Sequence, residues 1–170
     1  MKLRPHRTYR FLASLLAVLA TAPGLCGAEA DADPIPTVRW AATFSPATVG
    51  QGGEATVEVS AQIQDGWHVY APGQAPGGPT PLRVTLDNDR IATLAGPVSG
   101  TIPQKKHDPS FDLDTLFFVH SLQLHVPVHL VDSKPGARVI PVSVRFQICS
   151  ERECQPPATV HLDVPVDVRS

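Results

Sequence analysis

Three features of the chain predict an all-β fold. Beyond residue 30, several segments alternate apolar and polar residues with a period of two, as half-buried strands do. The same stretch lacks the three- and four-residue apolar spacing of an amphipathic helix. Its turns are marked by proline and glycine, and 18 prolines across 170 residues leave little room for long helices.

Each element follows from its own pattern. Glu54–Ile63 alternates strictly, with Ala55, Val57, Val59, Ala61 and Ile63 on one face and polar residues on the other. Asp65-Gly66 is a turn, and Trp67–Tyr70 a short strand after it. Residues 71–81 hold four prolines and three glycines and read as a loop. Leu82, Val84 and Leu86 alternate again. Residues 96–114 have weak periodicity and several breakers, so they read as a long loop, and long loops in compact domains are commonly functional. Phe118, Leu122, Leu124, Val126, Val128 and Leu130 share one face, interrupted only by His120. Lys134-Pro135-Gly136 is a turn. Ile140, Val142, Val144, Phe146 and Ile148 form the next core face, and Val160, Leu162, Val164, Val166 and Val168 the last. Seven or eight short strands of this kind suggest an immunoglobulin-like two-sheet β-sandwich.

The first thirty residues are expected to be a secretory signal rather than structure. Lys2, Arg4, Arg7 and Arg10 precede an apolar run of ten residues, 11–20, too short to span a bilayer, and Ala28-Glu29-Ala30 offers a cleavage site. Cys26 follows Leu25, not the small residue that lipid attachment wants, so a lipoprotein is not expected. Residues 31–37 form a flexible leader and residues 38–170 one exported domain without a membrane span. Cleavage removes four of the 14 Lys+Arg and one of the 16 Asp+Glu, which leaves a net charge of −5. Without a basic patch, nucleic acid and anionic membranes are poor partners. Nothing demands more than a monomer.

Processing leaves two cysteines, Cys149 and Cys154, in Phe146-Gln-Ile-Cys-Ser-Glu-Arg-Glu-Cys-Gln-Pro-Pro157. An exported chain meets an oxidising compartment in which such a pair can bond. Cys149 shares the parity of Arg145 and Gln147, which places it on the solvent or edge side of its strand. The pair then closes an exposed hairpin tip, within reach of a partner's thiolate. A structural staple is the bland reading. It would contribute only about 2 kcal/mol for so short a loop, in a domain large enough to fold without it. Residues alone leave staple and redox centre open. A metal site is a weaker third option, because the spacing is wide and no second ligand pair is evident. His125 and His129, four apart on a strand, are separated by about 13 Å and cannot share one ion.

Three segments resemble the N-terminal periplasmic domain of the thiol:disulfide interchange protein DsbD, the disulfide bond corrector family. They are Asp65-Gly-Trp-His-Val-Tyr-Ala-Pro72, Gly77-Gly-Pro-Thr-Pro-Leu-Arg-Val84, and Phe146-Gln-x-Cys149 with Cys154-x-Pro-Pro157. The third is the most specific. Some members carry one more residue between the cysteines. The resemblance implies an immunoglobulin-like sandwich and a Cys149–Cys154 disulfide that exchanges with thiols. Cys154 would form mixed disulfides with partners and Cys149 would resolve them.

His68 and Tyr70 match aromatic positions flanking the family's site; the simpler readings are a solvated strand residue and a core aromatic. Phe111 is the one aromatic in residues 100–114, the region matching a loop that caps the family's cysteines. Ordinary packing is its alternative. Asp112 and Asp114 would raise the thiol pKa if they lay near the sulfurs, but a solvated charge cluster is the expectation.

Implied partners are periplasmic thioredoxin-like proteins, including disulfide isomerases and cytochrome c maturation factors. The chain shows no transmembrane relay and no Cys-x-x-Cys, so a separate membrane protein would supply electrons. No cofactor is called for. Arg152 is the only cation between the cysteines, flanked by Glu151 and Glu153, so thiolate activation is weak and docking and proximity would carry the exchange. The rival is a non-enzymatic immunoglobulin-like binding module with a structural disulfide.

Overall fold

A computed structural model describes residues 37–50, 53–131 and 134–170. The expected signal segment, Cys26 and nearly all of the leader lie outside the described residues. Among the described residues the secondary structure is all β, in thirteen strands.

One sheet has the order β1-β3-β10-β6, from β1 (Val38–Ser45), β3 (Glu54–Ile63), β10 (Ser121–Leu130) and β6 (Ala92–Leu94), with β7 (Ser99–Gly100) also on β10. The second has the order β2-β13-β11-β5, from β2 (Thr48–Gly50), β13 (Ala158–Arg169), β11 (Gly136–Phe146) and β5 (Arg83–Leu86). Their facing sides form one core. Val57, Val59, Val126 and Val128 from the first sheet and Ile140, Val142, Val144 and Val164 from the second are all fully buried. Each such side chain stabilises the fold by roughly 1.5–3 kcal/mol against exposure. The alternation read from β3, β10, β11 and β13 is the burial pattern of those strands. The domain is therefore an immunoglobulin-like β-sandwich.

β1 and β2 are strands the alternation analysis passed over. Val38, Trp40 and Phe44 alternate inward along β1, with the Trp40 ring meeting Phe146 at 5.1 Å in a tilted contact. β2 then pairs in parallel with the end of β13, so the N-terminal strands close an edge of each sheet.

The third sheet was not expected. Its order is β12-β4-β9-β8, from β12 (Ile148–Ser150), β4 (Trp67–Tyr70), β9 (Leu113–Phe118) and β8 (Gln104–Asp108). Three of its strands are continuations of sandwich strands across short breaks. β3 passes into β4 through Asp65-Gly66, where Gly66 has φ 84°, a conformation glycine adopts without strain. β9 passes into β10 through Val119 and His120, and His120 takes φ 62°. β11 passes into β12 through Gln147. Cross-bonds tie the breaks together: Ile63 N–H donates to the His120 carbonyl at 2.7 Å, and Tyr70 N–H to the Gln147 carbonyl at 3.2 Å. The polar interruption at His120 is thus a bend between two sheets rather than a flaw in one long strand. Residues 96–114, expected to be loop, instead contain β7, β8 and the start of β9. Lysine and histidine on β8 made that strand look like loop. It is an edge strand, where charge is tolerated because only one side is paired.

Candidate functional site

The small sheet carries the cysteines. Cys149 lies in β12 directly opposite His68 of β4, and Ser150 opposite Trp67. The chain reverses at Glu151-Arg152 and returns to Cys154, which is bonded to Cys149 with 4.0 Å between their Cα atoms. Ser150 N–H donates to the Glu153 carbonyl at 2.8 Å, and Gln155 N–H to the Ile148 carbonyl at 2.9 Å. The hairpin tip expected from the sequence is present.

The two sulfurs' residues differ sharply in environment. Cys154 is exposed, whereas Cys149 is 1% exposed. This corrects the expectation of a solvent-facing Cys149. Strand parity does not carry across Gln147, because β11 and β12 belong to different sheets. Cys149 faces a second small core instead, made with Tyr70 and Phe117, against which Phe111 and Val119 pack.

Phe111 occupies the four-residue turn 109–112 between β8 and β9. Its ring meets Tyr70 edge-on at 5.9 Å. His68 is half-buried, not the solvated strand residue expected, with its ring 5.0 Å from Tyr70 and 5.2 Å from Phe117. The aromatic set singled out from the sequence therefore converges on the cysteine hairpin. Asp112 and Asp114 do not join it. They are exposed and pair with His107 and Lys105 of β8, at 3.4 Å and 3.0 Å, as the solvated cluster expected of them.

The acidic residue that does enter is Asp108, which sequence reasoning missed. It is 5% exposed and accepts a hydrogen bond from the Tyr70 hydroxyl at 2.6 Å and from Ser110 N–H at 2.9 Å. Burial pushes its carboxyl pKa up, but the Tyr70 hydroxyl, the Ser110 N–H and His68 outweigh it and hold the value below the ordinary carboxylate range. Burial and the same bond push the Tyr70 phenol well above its ordinary value. For His68 burial dominates and lowers the pKa, so the ring beside Cys149 is neutral at pH 7 and adds no cation there. The Asp108-Pro109-Ser110 sequence is an Asx-turn signature that could have revealed the residue.

Two further contacts join the turn-bearing hairpin to its surroundings. Lys106 of β8 pairs with Glu151 of the intercysteine turn at 3.2 Å and lies 6.0 Å above the Phe117 ring. Gln74 fixes the proline-rich loop to β9 through bonds to the Leu116 carbonyl at 2.6 Å and from Leu116 N–H at 3.3 Å. His125 pairs with Glu58 at 2.9 Å, and among the described residues no group of three or more potential ligands could hold a metal ion.

Residues 35–165 match the family described as the N-terminal domain of thiol:disulfide interchange protein DsbD. No curated protein matches the chain. Among solved structures, the chain is similar to the reduced DsbD N-terminal domain of Neisseria meningitidis. The identity is 18%, the match covers 69% of this chain and 82% of that one, and the TM-score is 0.48. It is similar to the N-terminal periplasmic domain of ScsB from Proteus mirabilis, at 16% identity over 74% and 45% of the two chains, TM-score 0.49. It is also similar to the complex between the DsbD and PilB N-terminal domains of Neisseria meningitidis, at 19% identity over 64% and 73%, TM-score 0.44. With a match over most of its length, the chain belongs to the DsbD N-terminal domain family of thiol:disulfide interchange proteins.

Proposed function

We propose that the domain relays electrons through Cys149 and Cys154 to thioredoxin-like proteins in the periplasm, after export by the N-terminal signal. The unequal burial of the two cysteines carries this reading. A partner disulfide can reach Cys154 but not Cys149. In the dithiol form, the Cys154 thiolate attacks the partner's disulfide, forms a mixed disulfide and releases one partner thiolate. The Cys149 thiolate then attacks the Cys154 sulfur. The intramolecular disulfide forms and the second partner thiolate leaves, so the partner gains two electrons and the domain loses them. A membrane electron donor restores the dithiol. Disulfide isomerases and cytochrome c maturation factors are the acceptor classes that family membership favours.

In this reading Phe111, Tyr70 and His68 flank the pair and limit access to it. Little activates a thiolate: His68 is neutral at pH 7 and Lys106 is paired with Glu151. Docking and proximity supply the rate. No cofactor takes part.

The test is Cys149→Ala in the exported protein. It traps a mixed disulfide through Cys154 with a thioredoxin-like partner, seen by non-reducing electrophoresis and mass spectrometry. Absence of an adduct with every thioredoxin-like protein offered, together with a wild-type reduction potential below about −300 mV, would return the disulfide to a structural role in a binding module.

A further inference from the structure

We infer that Ser150 is a positioning residue for the Cys149–Cys154 couple, acting through its side-chain hydroxyl; the inference rests on the exchange reading above. The intercysteine turn has little packing to hold it. Glu151, Arg152, Glu153 and Cys154 are all exposed. Beside the backbone bond from Ser150 N–H to the Glu153 carbonyl at 2.8 Å, its order comes from the Ser150 side chain. The Ser150 Oγ accepts hydrogen bonds from the backbone N–H groups of Arg152 and Glu153, both at 3.1 Å, and donates to the Glu153 carbonyl at 3.3 Å. The hydroxyl thus takes the place that a backbone carbonyl fills in an ordinary two-residue turn, and satisfies both amides there. Lys106–Glu151 is the other side-chain tie on the turn, and it is an exposed ion pair of small worth.

The consequence is redox-specific. The disulfide requires the closed turn, whereas the dithiol allows it to open. Interactions made only in the closed turn raise the effective concentration of one thiol at the other. Ser150 therefore favours the disulfide over the dithiol. It also speeds the second exchange step, in which Cys149 must reach the Cys154 sulfur within a mixed disulfide. Two amide bonds at a partly exposed turn correspond to about a fivefold effect on that equilibrium.

The experiment equilibrates wild type, Ser150→Ala and Ser150→Thr with graded dithiothreitol buffers and quantifies the two forms by alkylation and mass spectrometry. Ser150→Ala should lower the equilibrium constant for disulfide formation about fivefold. The couple would then be about 20 mV more oxidising, at 29.6 mV per tenfold for two electrons. Ser150→Thr keeps the hydroxyl and should stay within twofold of wild type. An alanine variant within twofold of wild type, or a threonine variant as weakened as alanine, overturns the inference. The ratio between variants is readable whatever the wild-type potential. A failed Cys149→Ala trap therefore counts against the exchange reading while the same titration still decides the role of Ser150.

Discussion

Tyr70→Phe isolates the bond that holds the Phe111 turn beside the cysteines. The substitution keeps the ring, and with it the edge contacts to His68 at 5.0 Å and Phe111 at 5.9 Å. It removes only the hydroxyl that donates to Asp108 at 2.6 Å. Asp108 keeps its bond from Ser110 N–H through the other oxygen. The loss is therefore one charge-assisted bond to a buried carboxylate, about 1.5–3 kcal/mol. Urea unfolding of the oxidised proteins at pH 7 reads it as a lowered midpoint at unchanged slope.

The pH dependence gives a second check. The folded Asp108 pKa is depressed, so the stabilisation it reports is present above the ordinary carboxylate value, near 4, and is lost as pH falls through the folded value. The folded Tyr70 pKa is raised, so its part is complete below about 10 and is lost only as pH rises beyond that. The gap between wild type and variant should thus be flat from about pH 5 to 9 and narrow in acid. With the turn less firmly held, reduction of the disulfide by dithiothreitol should also accelerate. A Tyr70→Phe protein within about 0.5 kcal/mol of wild type, reduced at the wild-type rate, would refute the argument that this bond fastens the turn.

Gly100→Ala should destabilise the domain by more than about 1 kcal/mol, because Gly100 has φ 144° and an added Cβ would overlap the backbone carbonyl of Gln123. Calorimetry at pH 7 checks this, and a variant as stable as wild type would mean that the β7–β10 approach is loose. His68→Gln should flatten part of the loss of stability on acidification. Burial lowers the folded His68 pKa, so its contribution is complete above the unfolded value, near 6.5, and is lost as pH falls below it. Urea midpoints of the two proteins from pH 8 to 5 should converge or cross in acid, and parallel curves would count against a desolvated His68.

The strands of the sandwich were legible because one face of each meets a continuous core. Val57, Val126, Val142 and Val164 fall on period-two faces, and a one-residue slip would expose them all. Cys149 and Cys154 were legible from their spacing and the Pro156-Pro157 sequence after them, and Tyr70 and Phe111 from motif likeness. Alternation fails wherever a strand changes sheet. At Gln147 it placed Cys149 outside, and at His120 it joined two strands into one. β8 was illegible for another reason: an edge strand dressed in Lys105, Lys106 and His107 has no buried face except at Asp108.

An all-β domain with a cysteine pair at a hairpin tip was readable from the sequence, because period, turn chemistry and cysteine spacing are local properties. The tertiary structure alone decided which cysteine is shielded and that Asp108, not Asp112 or Asp114, enters the site. Those outcomes depend on three sandwich strands bending into a small third sheet. Burial at such a site is set by residues far apart in the chain, such as Tyr70, Phe117 and Cys149, which no local pattern brings together.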